Sequence, residues 1–139
     1  IRMLTLLQVE ISFELTMVIE LHVEGYEAYK KAEKENEDKK VFVLFCGSKD
    51  SSGKSWCPDC VAAEPVVLKN LAHLPEDAVF IHCNVGDRPF WKDQKNLFRT
   101  DLSLKLKAVP TLMCVGKPQK LVEEQLMEDD LIQMMFSDD

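Results

Sequence analysis

The sequence predicts an α/β fold in three layers, with a central mixed β-sheet flanked by helices. Three observations predict it. Short continuous apolar runs, VFVLFCG (41–47), AVFIHCNV (78–85) and VPTLMCVG (109–116), are rich in β-branched and aromatic residues and suit strands buried on both faces. Stretches of helical composition separate the first of these runs, the alternation that builds parallel strands. Two strand-like runs then follow each other closely, which adds a hairpin and makes the sheet mixed. At 139 residues, the chain suits one domain with a single core.

The elements follow in order. MVIELHV (17–23) alternates as a strand does. The apolar start resembles a signal or a membrane span, but Glu10, Glu14 and Glu20 interrupt it and no small-residue cleavage site follows. Residues 1–16 are therefore read as an extension or non-native leader, and 17–139 as the domain. EGYEAYKKAEKENEDKK (24–40) has helical composition, with Tyr26, Tyr29 and Ala32 facing inward. After the strand at 41–47 comes a Gly- and Ser-rich loop to Ser55. CPDCVAAEPVVLKNLAHL (57–74) reads as a helix. Pro58 suits its first position, where a missing N–H costs nothing. Pro65 predicts a kink near 61–65, and Pro75 ends the helix. The segment 86–96, which contains PFWKD, reads as a loop, and 97–106 as a short helix. QKLVEE (119–124) suits an edge strand. EDDLIQMMF (128–136) closes as an amphipathic helix with Leu131, Met134 and Met135 inward.

The net charge of −7 argues against nucleic-acid binding, which needs clustered Lys and Arg. The five cysteines are odd in number, and Cys46, Cys83 and Cys114 sit inside apolar runs. A secreted disulfide scaffold carries an even, loop-placed set, so the pattern indicates a reducing, cytoplasmic setting. The three strand cysteines are read as buried and inert, with oxidative dimerisation through one of them as the alternative.

The remaining pair, Cys57 and Cys60, has three readings: zinc ligands, a structural staple, or a redox dithiol. Structural zinc needs four ligands, usually as two close pairs, and there is no second pair; His82 and Cys83 are strand neighbours pointing to opposite faces. A staple across two residues restricts the unfolded chain little. Redox exchange fits the local physics. Cys57 precedes a helix, where unpaired N–H groups and the positive dipole end favour thiolate, the attacking species. Cys60 falls on the same side of the first turn and can attack a mixed disulfide. This makes Cys57 the exposed nucleophile and Cys60 the shielded resolving thiol.

The neighbours tune the pair. Pro58 fixes the first turn. Asp59 suits the helix dipole but opposes a thiolate at Cys57. Lys54 offsets it if the loop folds back. Trp56 is either a packed aromatic or a platform beside the sulfur. A proline opening a strand, read with the C-x-x-C, predicts a cis Val109–Pro110 bond that leaves the Val109 backbone to pair with an extended substrate. Phe90 and Trp91 are either core cover or a partner-binding rim. His22, His73 and His82 show no arrangement that indicates catalysis.

W-C-x-x-C at a helix start, a proline inside that helix and V-P-T before a strand resemble the thioredoxin superfamily. FCGSKDSSGKSWCPDCVAAEPVV, VGDRPFWKD and AVPTL together resemble one thioredoxin-related branch of it, over about residues 17–139. The resemblance implies a thioredoxin fold and a cytosolic disulfide reductase. Its electrons would come from NADPH through thioredoxin reductase, and it would reduce small disulfides such as cystine and selected protein disulfides. Peroxide-linked activity, inflammatory signalling and binding to a dynein light chain are also implied by the resemblance alone. Apart from the Cys57–Cys60 disulfide, no cofactor or metal is expected, and the chain is expected to be a monomer with no membrane or nucleic-acid partner. Two departures stand out. Leu44 occupies the place where thioredoxins commonly carry a buried acid, so proton handling for Cys60 must differ. The loop from Gly47 to Ser55 is longer and lies against the site, which narrows the choice among protein substrates.

Two other functions compete. A glutaredoxin-like enzyme is weaker because no G-G-x-D-like segment follows Pro110. A redox-sensitive adaptor with little turnover is separated from an enzyme by measuring turnover. A secretory-pathway isomerase is disfavoured, as no retention tail follows MMFSDD.

Overall fold

The computed structural model describes residues 18–137. The reading of residues 1–16 as a leader, and of Met17 as the first strand residue, lies outside them. Five strands form one sheet: β1 (Ile19–Glu24), β2 (Val41–Cys46), β3 (Val79–Asn84), β4 (Thr111–Cys114) and β5 (Lys120–Val122), in the order β1-β3-β2-β4-β5. The most apolar strands take the middle. All six residues of β2 are buried, whereas β1 at the edge alternates exposed and half-buried positions. β3 runs parallel to β1 and β2, while β4 and β5 are antiparallel to their neighbours.

Helices cover both faces. α1 (Tyr26–Glu35) buries Tyr29 and Ala32, and Tyr29 meets Phe45 edge-on at 5.2 Å. Tyr26 is only half-buried; its hydroxyl donates to Asp101 Oδ2 at 2.6 Å. The helix stops five residues short of the predicted Lys40, because the polar run after Glu35 offers no further inward residue. On the other face, α2 (Pro58–Lys69) and α5 (Asp129–Ser137) are joined through Asn70. Its amide donates to Asp129 at 2.8 Å, and its carbonyl oxygen accepts from Gln133. Phe136 of α5 packs edge-on against Phe42 and Phe80, and full burial of such a side chain contributes about 1.5–3 kcal/mol.

The inward face of α5 corrects the sequence reading. Ile132 and Phe136, four residues apart, enter the core; Leu131 and Met135 are half-buried flanks, and Met134 is 65% exposed. The largest ring fixed the helix rotation, and the methionines followed. The segment read as a loop at 86–96 contains a short helix, α3 (Arg88–Lys92). Asp87 caps it by accepting from the Phe90 amide, and Pro89 sits in its first turn. α4 (Leu97–Thr100) is shorter than predicted and buries Phe98.

This topology positions the site. The carboxyl ends of β2 and β3 lie at one edge of the sheet, and β4 starts beside them, with Phe45 paired to both Cys83 and Thr111. Loops leaving parallel strands at that edge form the usual ligand crevice of open α/β sheets. Cys57, the α3 segment and Pro110 all arrive there.

Candidate active site

Cys57 is the N-cap of α2, and its Sγ accepts from the Cys60 amide at 3.2 Å. An N-terminal amide aimed at the sulfur, together with the helix dipole, favours the charged form. Cys57 and Cys60 are joined as a disulfide. The Val109–Pro110 bond is cis, and the Val109 carbonyl oxygen lies 3.7 Å from Cys57 Sγ. The expected contrast in exposure is small: Cys57 is 5% exposed and Cys60 2%. The Val109 carbonyl lies against Cys57 Sγ and helps cover it. The two sulfurs differ in what they face. Cys57 lies in an open groove of about 490 Å³, with Trp56, Arg88, Trp91, Lys107 and Val109 among its walls. Cys60 faces a smaller cavity beneath the preceding loop.

That loop is folded back on itself. Lys49 bridges to Ser55, and Asp50 accepts from the amides of Ser52 and Lys54. Ser55 Oγ donates to the Gly47 carbonyl at 2.8 Å and accepts from the Cys57 amide at 3.1 Å, which pins the cysteine to the end of β2. Trp56 donates from Nε1 to the Gly86 carbonyl at 2.9 Å, and its indole lies directly against Gly47, where a side chain has no room. Gly86 has φ +108° and the Phe90 ring at its α-carbon, so a side chain is excluded there too. Lys54 stands beside Asp50, whose carboxyl it helps hold below its ordinary range after hydrogen bonds from Ser52 and Lys54. The lysine that reaches α2 is Lys49, paired with Glu64 at 3.3 Å. Asp59 is exposed on the groove wall.

Trp91 is core and Phe90 is rim: they are 6% and 46% exposed. Arg99 stacks on the Trp91 ring at 4.0 Å, donates to the Trp91 carbonyl at 2.9 Å and reaches the Lys107 carbonyl. It thereby ties α3 to the segment that leads into the cis-proline. Sequence reasoning missed Arg88, Lys92 and Lys107 as groove residues, since they come from α3 and from the segment before Pro110, which only the fold brings together.

The other cysteines, Cys46, Cys83 and Cys114, are buried free thiols. Burial pushes the Cys46 thiol up to about 12 and raises Cys83 and Cys114 as well. Two of the three histidines have partners that only the fold supplies. His22 and His82 are register partners on β1 and β3, and their rings stack at 4.1 Å. His82 Nε2 also meets Glu20 at 3.1 Å, and donor atoms of all three residues lie within 4.8 Å of one another. A sequence does not show which strands will be neighbours, so this cluster had no signal.

A family model for the thioredoxin domain of thioredoxin domain-containing protein 17-like proteins matches residues 22–138. The chain belongs to this family. It is 56% identical over 120 residues to thioredoxin domain-containing protein 17 of Danio rerio and 51% identical to that of Homo sapiens, covering in each case 86% of this chain and 96% of the relative. The oxidised crystal structure of thioredoxin O1 from Arabidopsis thaliana superposes with a TM-score of 0.54 at 19% identity, covering 84% of this chain and 97% of that one. The family and this likeness establish the thioredoxin fold. Within it, the chain carries the disulfide-bonded pair at the start of α2, the arrangement of a thiol oxidoreductase. Among the described residues, no helix is long and apolar enough to cross a membrane.

Proposed function

We propose that the protein is a cytoplasmic thiol–disulfide oxidoreductase that works as a reductase. It reduces small disulfides such as cystine, and selected protein disulfides, with electrons from NADPH delivered by thioredoxin reductase. One observation carries the reading: a helix-capping cysteine, disulfide-bonded to the residue three positions on, sits against the carbonyl before a cis-proline. Cys57 thiolate attacks the substrate disulfide and forms a mixed disulfide; Cys60 then attacks Cys57 Sγ and releases the second substrate thiol. Val109 offers backbone to an extended substrate, and Trp56 forms one wall beside the reacting sulfur. The three buried, unpaired cysteines are consistent with a reducing compartment.

The test is NADPH consumption with thioredoxin reductase and cystine. Turnover should vanish in Cys57→Ser, and Cys60→Ser should trap a stable mixed disulfide. A folded, reduced native chain with no turnover would replace this reading with the adaptor.

A further inference from the structure

When Cys60 attacks the mixed disulfide, its proton needs an acceptor. Leu44 supplies none: it is 1% exposed within β2, paired in register with His82 and Leu112. The cavity beneath the loop holds a different candidate. Cys60, Cys46, Lys49, Ser55 and Glu64 all line this space of about 210 Å³. Glu64 is four residues after Cys60, so the two side chains lie on one face of α2, a turn apart. The space is large enough for water, and Lys49, Lys54, Ser55 and Glu64 give it polar partners, so water can bridge a thiol and a carboxylate there.

We propose that Glu64 accepts the proton of Cys60, through cavity water, as Cys60 resolves the mixed disulfide. The inference rests on the reductase reading above. Cys60 S–H loses its proton to the Glu64 carboxylate. The thiolate forms a bond to Cys57 Sγ, the bond between Cys57 Sγ and the substrate sulfur breaks, and the electron pair leaves with that sulfur. The departing thiolate takes a proton from water, and Glu64 returns its own to solvent. The dithiol is oxidised to a disulfide, and the substrate disulfide is reduced to two thiols.

The charges around Glu64 define its setting. From the loop, Lys49 pairs with it at 3.3 Å, and Lys54 lines the same cavity. From β2, Cys46 feels it: burial raises that thiol most, and the Glu64 charge adds to the rise while Lys49 opposes it. From β3, His82 feels it too: burial lowers that imidazole, and the charges of Glu20 and Glu64 oppose the fall. The charge of the carboxylate thus reaches groups on both β2 and β3. Lys49 holds the carboxylate beside the same cavity.

The experiment mixes the full reduced chain rapidly with dithiobis(nitrobenzoate), an aromatic disulfide whose two coloured thiols leave in sequence. The first phase reports attack by Cys57 and the second reports resolution by Cys60. Glu64→Gln should slow the second phase about 100-fold at neutral pH, the lower end of what a positioned general base supplies. The first phase should keep its rate. The second phase should recover as rising pH ionises Cys60 directly, and Glu64→Asp should fall between the two. A Glu64→Gln chain with the native second phase at neutral pH overturns the inference. So does an equal slowing at every pH, which marks a structural effect. Absence of turnover with cystine in the native chain sinks the reductase reading instead, and leaves these two phases to be read on their own.

Discussion

Replacing Gly47 with alanine isolates the contact that seats Trp56 beside the disulfide. The backbone at Gly47 lies outside the left-handed region, so alanine suffers no conformational strain there. The whole effect comes from the new methyl group, which would lie 2.5–2.9 Å from three indole atoms. The ring is held by its hydrogen bond to Gly86 at 2.9 Å and cannot move without losing it. Overpacking costs about 1–3 kcal/mol and a lost hydrogen bond about 1 kcal/mol. The smaller unfolded-state entropy of alanine offsets roughly 0.4–1 kcal/mol. The net loss should be about 1.5–3 kcal/mol, which lowers Tm by roughly 6–12 °C for a domain of this size. Thermal unfolding followed by far-ultraviolet circular dichroism measures it. A double-mutant cycle with Trp56→Phe should return at least about 1 kcal/mol, because the smaller ring vacates the space. A Gly47→Ala chain as stable as the native one would refute the reasoning. An equal loss in the Trp56→Phe background would move the cause away from the indole.

Two further outcomes are expected. In the reduced native chain a thiol reagent near neutral pH should titrate two cysteines promptly, and all five only in denaturant: Cys57 caps α2 on the open groove and Cys60 is its partner, whereas Cys46, Cys83 and Cys114 are held as thiols by raised pKa values; rapid native titration of a third would contradict this. Acid should weaken the fold partly through Asp101, whose carboxyl, despite the opposing effect of burial, is held down to about 2 by hydrogen bonds from Tyr26 and Ser103 and by Lys30. A depressed carboxylate stabilises the fold above its unfolded value of about 3.9, and that stabilisation is lost as pH falls toward 2. Asp101→Asn should therefore flatten the stability profile between about pH 4 and 2, as read by urea unfolding; an unchanged slope would count against it.

The chemistry was more legible than its surroundings. VFVLFC, VFIHCN and TLMC identified themselves as inner strands because continuous apolar runs suit no exposed position. Cys57, Pro58 and Cys60 lie within four residues, so their arrangement needs only a helix start to be read. The rotation of α5 was not legible, because Leu131, Ile132, Met134, Met135 and Phe136 offer several apolar faces and the sheet selects one. The short helix α3 was not legible either, because RPFWK is too short to show a helical period. His22 facing His82, Lys107 beside Arg88 and Glu64 above Cys46 all arise from strand order and loop closure. These juxtapositions join residues distant in the chain, and no local pattern encodes them.

The placement of the two tryptophans has a practical consequence. The chain has no others, and Trp56 and Trp91 both line the groove that holds Cys57. Indole emission from the folded protein therefore comes entirely from the walls of that groove. A neighbouring disulfide quenches an excited indole far more than two thiols do. The native chain thus carries its own optical gauge of oxidation state, and a reductant added to it should be followed by a rise in emission without any label.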